Sequence, residues 1–167
     1  MMTKYPNRKK IRLENYDYSS VGAYFITVCI KERKSLLWDN VGAAISRPDI
    51  VKLSAIGKIV NAAILQIPDH YANVIVDKYC VMPDHIHLIL FILADESGRQ
   101  VAAPTVSTVV GQMKRWVSKQ LGFSIWQKSF IDRVIRNEKA YCNIWEYIEN
   151  NPMKLDCADD NLDFSEM

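Results

Sequence analysis

The sequence predicts a single α+β domain built on one antiparallel sheet, and three observations carry that prediction. Apolar residues alternate or run together over residues 24–30, 74–81 and 85–92, as strands require. They recur at three- and four-residue steps over 55–67, 108–121 and 138–151, as amphipathic helices require. Only Met82-Pro83-Asp84 separates the second and third strands, so those two form a hairpin.

The first strand, 24–30, is entered through Gly22 and is apolar almost throughout, which places it inside the sheet rather than at an edge. Residues 31–49 are irregular, with a small hairpin expected around 40–42, and no function is assigned to them. Ser54 is the expected N-cap of the helix 55–67, whose stripe of Ile56, Ile59, Val60, Ala63, Ile64 and Ile67 packs on the sheet before Pro68 ends it. His70, beside Asp69, is expected at the surface. After the hairpin, 94–104 reads as a loop. Ser107 is the expected cap of the helix 108–121, apolar at Val109, Val110, Met113, Trp116, Val117 and Leu121, with Gly122 closing it. Residues 125–135, with Trp126, Phe130 and Val134 set against charges, read as a last strand or extended segment.

The final helix, 138–151, packs through Tyr141, Ile144, Trp145 and Ile148. Tyr147 lies about 240° around the axis from Tyr141 and is expected off that stripe. Pro152 ends the helix. The order strand, helix, strand, strand, helix, strand, helix is that of a ferredoxin-like split βαβ fold with an added C-terminal helix carrying the tyrosine. Residues 1–155 form the domain, and 156–167 an acidic tail.

Charge is unevenly spread. The net charge is +2, but Asp156, Asp159, Asp160, Asp163 and Glu166 fall in the last thirteen residues, so residues 1–154 carry +7 once those five are set aside. Arg8, Lys9, Lys10 and Arg12 make a basic arm, and Lys114, Arg115, Lys119, Lys128, Arg133, Arg136 and Lys139 fall between residues 107 and 139, against only Asp132 and Glu138. A basic body of this kind fits a polyanionic partner, although solvated helix faces would look the same. No apolar run is long enough to span a membrane and no apolar segment follows the basic N-terminus. Cys29, Cys80, Cys142 and Cys157 form no C-x-x-C pair, so a reduced cytoplasmic protein is expected, nucleoid-associated if it holds DNA. Cys80 and Cys142 are expected to pack as small apolar residues.

Two of the three histidines, His85 and His87, are separated by one residue on a strand and so share a face, opposite Ile86, Leu88 and Leu90. The pair offers two nitrogens to one cation, or forms a hydrogen-bonded pair with no metal. A third ligand must come from elsewhere. On the last helix Tyr147 and Asn151 sit at i and i+4, one above the other.

Tyr16-Asp17-Tyr18-Ser19 with Gly22-Ala23-Tyr24-Phe25, then Met82 through His87, then Val134 through Lys139, then Trp145 through Ile148 with Asn151-Pro152, resemble in this order the REP-associated tyrosine transposases, single-tyrosine transposases of the HUH endonuclease superfamily. The likeness covers roughly residues 8–155. It implies a ferredoxin-like, metal-dependent single-stranded DNA endonuclease and strand transferase. It implies His85 and His87 as ligands of a divalent cation, Mg2+ or Mn2+, with Asn151 as the third, and Tyr147 rather than Tyr141 as the nucleophile. The product would be a 5′-phosphotyrosine and a free 3′-OH. The same likeness points to hairpins of repeated extragenic palindromes as the target; the basic arm, helix and strand, through Arg8, Lys9, Lys10, Arg12, Lys114, Arg115, Lys119, Arg133 and Arg136, are expected to contact its phosphates, and monomer or homodimer stays open. It assigns Asp84 no role. Two rival readings remain at this level: a non-catalytic single-stranded nucleic-acid-binding module of RRM-like fold, stacking bases on Tyr24, Phe25 or Tyr79, and a metallohydrolase that uses water as nucleophile.

Overall fold

A computed structural model describes residues 21–39, 52–94 and 104–153. The basic arm, residues 16–19, the hairpin expected at 40–42, Cys157 and the acidic tail lie outside them. The elements run β1 (Gly22–Cys29), a 3-10 turn (Lys31–Arg33), α1 (Ala55–Leu65), α2 (Ile67–His70), β2 (Val74–Val81), β3 (His85–Ile92), α3 (Val106–Leu121), β4 (Ile131–Ile135), α4 (Glu138–Asn150) and a second 3-10 turn (Asn151–Met153). The sheet has the order β2-β3-β1-β4 with every pairing antiparallel, the ferredoxin-like arrangement.

Alternation along β1 and β3 divides the core into two layers. Tyr24, Ile26, Val28, Ile86, Leu88 and Leu90 are fully buried on the face covered by α1 and α3. Phe25 and Ile89 face the other way and are covered by Ile144 and Ile148 of α4. A face that a two-layer domain would leave to solvent is therefore roofed by the last helix.

The helices begin and end close to the expected positions, and the departures are local. Ser54 caps α1, its hydroxyl accepting from the Gly57 amide. Pro68 does not stop that helix: α1 ends at Leu65, and Pro68 sits in the first turn of α2, where a missing N–H costs nothing. His70 is exposed as expected, but at the end of α2. The cap of α3 is Thr105, not Ser107; its hydroxyl accepts from Thr108 N at 3.1 Å, and the helix starts early enough to bury Val106. Gly122 closes α3 in the left-handed region (φ 78°). The segment 125–135 is two pieces: Ile125–Gln127 runs beside the end of β1 through an Ile30–Trp126 bridge, and β4 proper begins at Ile131. Cys80 is buried, but Cys142 is exposed, two residues before Ile144 and hence about 200° from the buried side of α4.

Among the described glycines, Gly57 makes the closest approach to its surroundings. A Cβ there would overlap the Leu37 carbonyl oxygen, which already accepts from the Ser54 amide. Because backbone cannot yield as a side chain can, Gly57→Ala is expected to cost about 1–3 kcal/mol, read as a lower midpoint in urea with an unchanged slope. A neutral result would mean that α1 slides on the loop without penalty.

Candidate active site

Strand pairing sets the site. The last residues of β1 lie opposite the first of β3, with Thr27 facing His87 and Cys29 facing His85. Met82 N donates to His85 O and so closes the hairpin turn, and Ile30 N donates to Asp84 O. His85 and His87 therefore start from a fixed backbone and project toward α4, as the strand alternation predicts.

Each imidazole is held by its Nδ1. His85 Nδ1 donates to Asp84 Oδ1 at 2.6 Å, and His87 Nδ1 shares a 2.9 Å hydrogen bond with the Thr27 hydroxyl. Both Nε2 atoms then point into one space, 3.0 Å apart. The Tyr147 hydroxyl stands 3.5 Å from His87 Nε2. Phe25 stacks on the His87 ring at 5.2 Å and meets Tyr147 edge-on at 6.3 Å, so one aromatic side chain braces both.

Asp84 is fixed from two sides. Its second oxygen pairs with Arg33 Nε at 2.8 Å, and Arg33 also donates to Cys29 Sγ at 3.0 Å. Arg33 and the preceding Glu32 have φ near +55°, an uncommon backbone for such side chains. Burial raises the Asp84 pKa, yet the hydrogen bond and charge of His85 and the Arg33 guanidinium outweigh it and hold the carboxyl below its usual value. Thr27 and Arg33 were missed in the sequence, the latter in the stretch left without a function. A lone arginine in an irregular segment gives no signal; its role depends on the turn that folds it back onto Asp84.

Burial, then the positive charges of His85 and Arg33, push the His87 pKa well below 6.5. A group whose folded pKa is depressed contributes stability that is present above its unfolded pKa, about 6.5, and is lost as pH falls below it. In chelator, the urea midpoint is therefore expected to fall between pH 7 and pH 5 more steeply in wild type than in His87→Gln. Parallel pH profiles would mean that His87 takes up a proton in the fold without penalty.

Tyr147 lies at the rim of the α4 stripe rather than off it, half-buried beside Ile144 and Ile148. Tyr141 is the wrong reference, because Tyr147 is only about 60° from Ile144. Tyr141 itself is tied up: its hydroxyl donates to Asp77 Oδ2 at 2.8 Å, and this contact raises its pKa. Asn151 keeps helical angles (φ −61°, ψ −43°), remains one turn beyond Tyr147, and is 7% exposed, its amide nitrogen lacking a hydrogen-bond partner among the described residues.

These donors suit a divalent cation. Two nitrogens each about 2.1 Å from one ion at roughly 90° would be about 3.0 Å apart, the separation found between the two Nε2 atoms. Asn151 follows the helix that carries Tyr147, so its amide is the remaining candidate for a third ligand. Among the described residues no group of three His, Cys, Asp or Glu side chains could hold a metal, so the remaining positions would fall to an amide, water or substrate.

The nine cations expected to meet phosphate separate in space. Arg8, Lys9, Lys10 and Arg12 lie outside the described residues. Lys114, Arg115 and Lys119 are on α3, the layer opposite α4. Arg133 is paired in register with Phe25 and so belongs to the histidine face, and Arg136 is exposed in the link to α4. The three aromatics required by an RRM-like module are unavailable for stacking: Tyr24 is 0% and Phe25 6% exposed, and Tyr79 packs on the core while its hydroxyl donates to Asn61.

Comparison with known proteins agrees with this architecture. No family model matches the chain. An uncharacterised Haemophilus influenzae protein is 31% identical over 176 residues, covering 92% of this chain and 94% of its own length. A second protein of that organism, described as "Putative REP-associated tyrosine transposase", is 26% identical over 153 residues, covering 85% of this chain and 77% of its own. The solved structure of a REP-associated tyrosine transposase bound to a REP hairpin superposes with a TM-score of 0.57 at 22% identity, over 86% of this chain and 74% of that one, and shares the fold. The named relative and the solved structure both make the chain similar to the REP-associated tyrosine transposases, in sequence to the one and in fold to the other. Among the described residues no helix is long and apolar enough to cross a membrane.

Proposed function

We propose that this protein processes DNA as a transposase does, cutting and rejoining single-stranded or hairpin DNA through a covalent bond to Tyr147. The observation that carries the reading is the approach of the Tyr147 hydroxyl to 3.5 Å from His87 Nε2, itself 3.0 Å from His85 Nε2. A nucleophile and a pair of cation ligands, from a helix and a strand 60 residues apart, meet at one point.

In the proposed step Tyr147 Oη attacks a backbone phosphorus, a P–O bond to Tyr147 forms, and the bond from phosphorus to the 3′-oxygen breaks. The phenol proton goes to solvent, and the departing 3′-oxygen is protonated to a hydroxyl. One ester replaces another, so the step is reversible and a 3′-OH can attack the phosphotyrosine to rejoin the strand. A divalent cation, Mg2+ or Mn2+, bound to His85, His87 and Asn151 would polarise the phosphate and stabilise the departing oxygen. Asp84 and Thr27 keep both imidazoles aimed, and Phe25 fixes the phenol against His87. Imidazole and amide ligands favour Mn2+ over Mg2+, which prefers all-oxygen sites.

The test is incubation with Mn2+ and labelled single-stranded hairpin oligonucleotides. The expected result is a denaturation-resistant protein–DNA band and a free 3′-OH fragment, both abolished by chelator. Cleavage without any adduct would favour water as nucleophile. Chelator-insensitive binding without cleavage would favour a non-catalytic module.

A further inference from the structure

Arg33 is not among the groups that meet at the histidines, yet the turn that carries it is built at a backbone cost. Glu32 and Arg33 have φ of 56° and 53°, a left-handed region that neither side chain favours. Such a conformation persists only where its surroundings enforce it. Here Lys31 N donates to Ile125 O at 2.8 Å, Arg33 N to Ile30 O at 3.1 Å and Leu37 N to Pro83 O at 2.9 Å, so the turn is tied to the hairpin on one side and to the segment after α3 on the other. What the turn achieves is the placement of one guanidinium. Arg33 Nε meets Asp84 Oδ2 at 2.8 Å, and a second nitrogen of the same group donates to Cys29 Sγ at 3.0 Å. A single planar side chain thereby joins the last residue of β1 to the residue that precedes β3.

We propose that Arg33 is a positioning residue for the cation site, acting through Asp84 to hold His85 with its Nε2 lone pair turned toward the ion. The identity of the ion rests on the proposed function above. An ionised carboxylate only accepts, so with Asp84 Oδ1 at 2.6 Å from His85 Nδ1 the proton of the neutral ring lies on Nδ1 and the lone pair on Nε2. That Nε2 is the atom 3.0 Å from His87 Nε2. A carboxylate held through one oxygen can turn about its own bond and release the ring; Arg33 holds the other oxygen and fixes the plane. Asp84 in turn cancels a positive charge that would repel a cation. Each residue therefore serves the ion only in the presence of the other: Arg33 without Asp84 is a repulsive charge, and Asp84 without Arg33 is an unanchored acceptor. Lysine at position 33 would keep the charge but, as a point donor on a flexible stem, not the two-sided grip.

The test reads Mn2+ affinity by calorimetry in the absence of DNA, and the His85 ring tautomer by nitrogen NMR in the metal-free protein. Arg33→Ala is expected to weaken Mn2+ binding about tenfold to a hundredfold, as loss of an outer partner of a metal-binding histidine does, and to give the His85 nitrogens the averaged shifts of two exchanging tautomers. Arg33→Lys is expected to recover only part of that loss and to stay at least about fivefold weaker than wild type. In an Asp84→Asn background Arg33→Ala is expected to cause no further weakening, because the residue it acts through is gone. Lys34→Ala removes an exposed cation of the same turn, paired with Glu32 at 2.8 Å, and is expected to change Mn2+ affinity less than about twofold. Equal losses from Arg33→Ala and Lys34→Ala, full recovery by Arg33→Lys, an undiminished effect beside Asp84→Asn, or no Mn2+ uptake by wild type would overturn the proposal. So would a lower melting temperature with affinity and tautomer unchanged, the result of a merely structural pair. Adduct formation in the same preparations separates the two readings. Arg33-dependent Mn2+ binding without an adduct defeats the tyrosine chemistry alone, whereas an adduct with Arg33-independent Mn2+ binding defeats the positioning role alone.

Discussion

Tyr147→Phe is expected to reduce covalent adduct by at least about four orders of magnitude, as loss of a nucleophile does elsewhere, while leaving hairpin affinity within about twofold. The substitution removes one oxygen and keeps the ring, so the edge contact with Phe25 and the packing beside Ile144 and Ile148 survive. An effect confined to chemistry is therefore the signature of a nucleophile. Tyr141→Phe is the matching control. That hydroxyl already donates to Asp77, and a phenol whose proton is held by a carboxylate is a poor source of phenolate. Adduct that persists in Tyr147→Phe and disappears in Tyr141→Phe would reverse the assignment. Quantitative gel analysis of both variants decides it.

The second large effect is expected from His87→Ala. Wild type should gain thermal stability as Mn2+ is added, because a cation that binds only the folded state stabilises it by mass action. The variant should lose that gain, bind Mn2+ at least about a hundredfold more weakly in calorimetry, and form no adduct. It should also lose about 2–4 kcal/mol in stability, since a ring that is 5% exposed and stacked on Phe25 is replaced by a methyl group. His85→Ala, at a more exposed position, separates the effects: the same loss of Mn2+ response is expected with a smaller loss of stability. A Mn2+-induced rise in melting temperature that survives both substitutions would show that the imidazoles are not the ligands.

Much of the framework was legible because local patterns coincide with tertiary demands. The strands 74–81 and 85–92 have the expected bounds, since their alternation and a three-residue link leave little choice of register. The cap of α3 was misplaced because Thr105 and Ser107 are chemically alike, and the choice depends on the extended backbone of Thr105 (φ −74°, ψ 152°), which no residue type announces. Of the candidate site, the His85/His87 geometry follows from strand periodicity, and the i, i+4 stacking of Tyr147 and Asn151 from helix geometry. What holds them does not. The Thr27–His87 bond joins residues 60 apart, and the Arg33–Asp84 pair depends on a turn with positive φ. The basic run between 107 and 139 looked like one feature, yet the sheet separates Lys114 and Arg115 from Arg133.

The strand that provides none of the metal or nucleophile candidates, β2, anchors the tyrosine helix. Asp77 receives the Tyr141 hydroxyl, and Lys78 pairs with Glu149 while its ammonium lies 4.0 Å over the Trp145 ring. Both anchors lie along the edge of the sheet farthest from β4 and bracket the turn of helix that bears Tyr147. These contacts fix how α4 lies on the sheet, and with it where the Tyr147 phenol stands against the histidines. Substitutions along this edge are expected to displace the Tyr147 phenol without touching either imidazole.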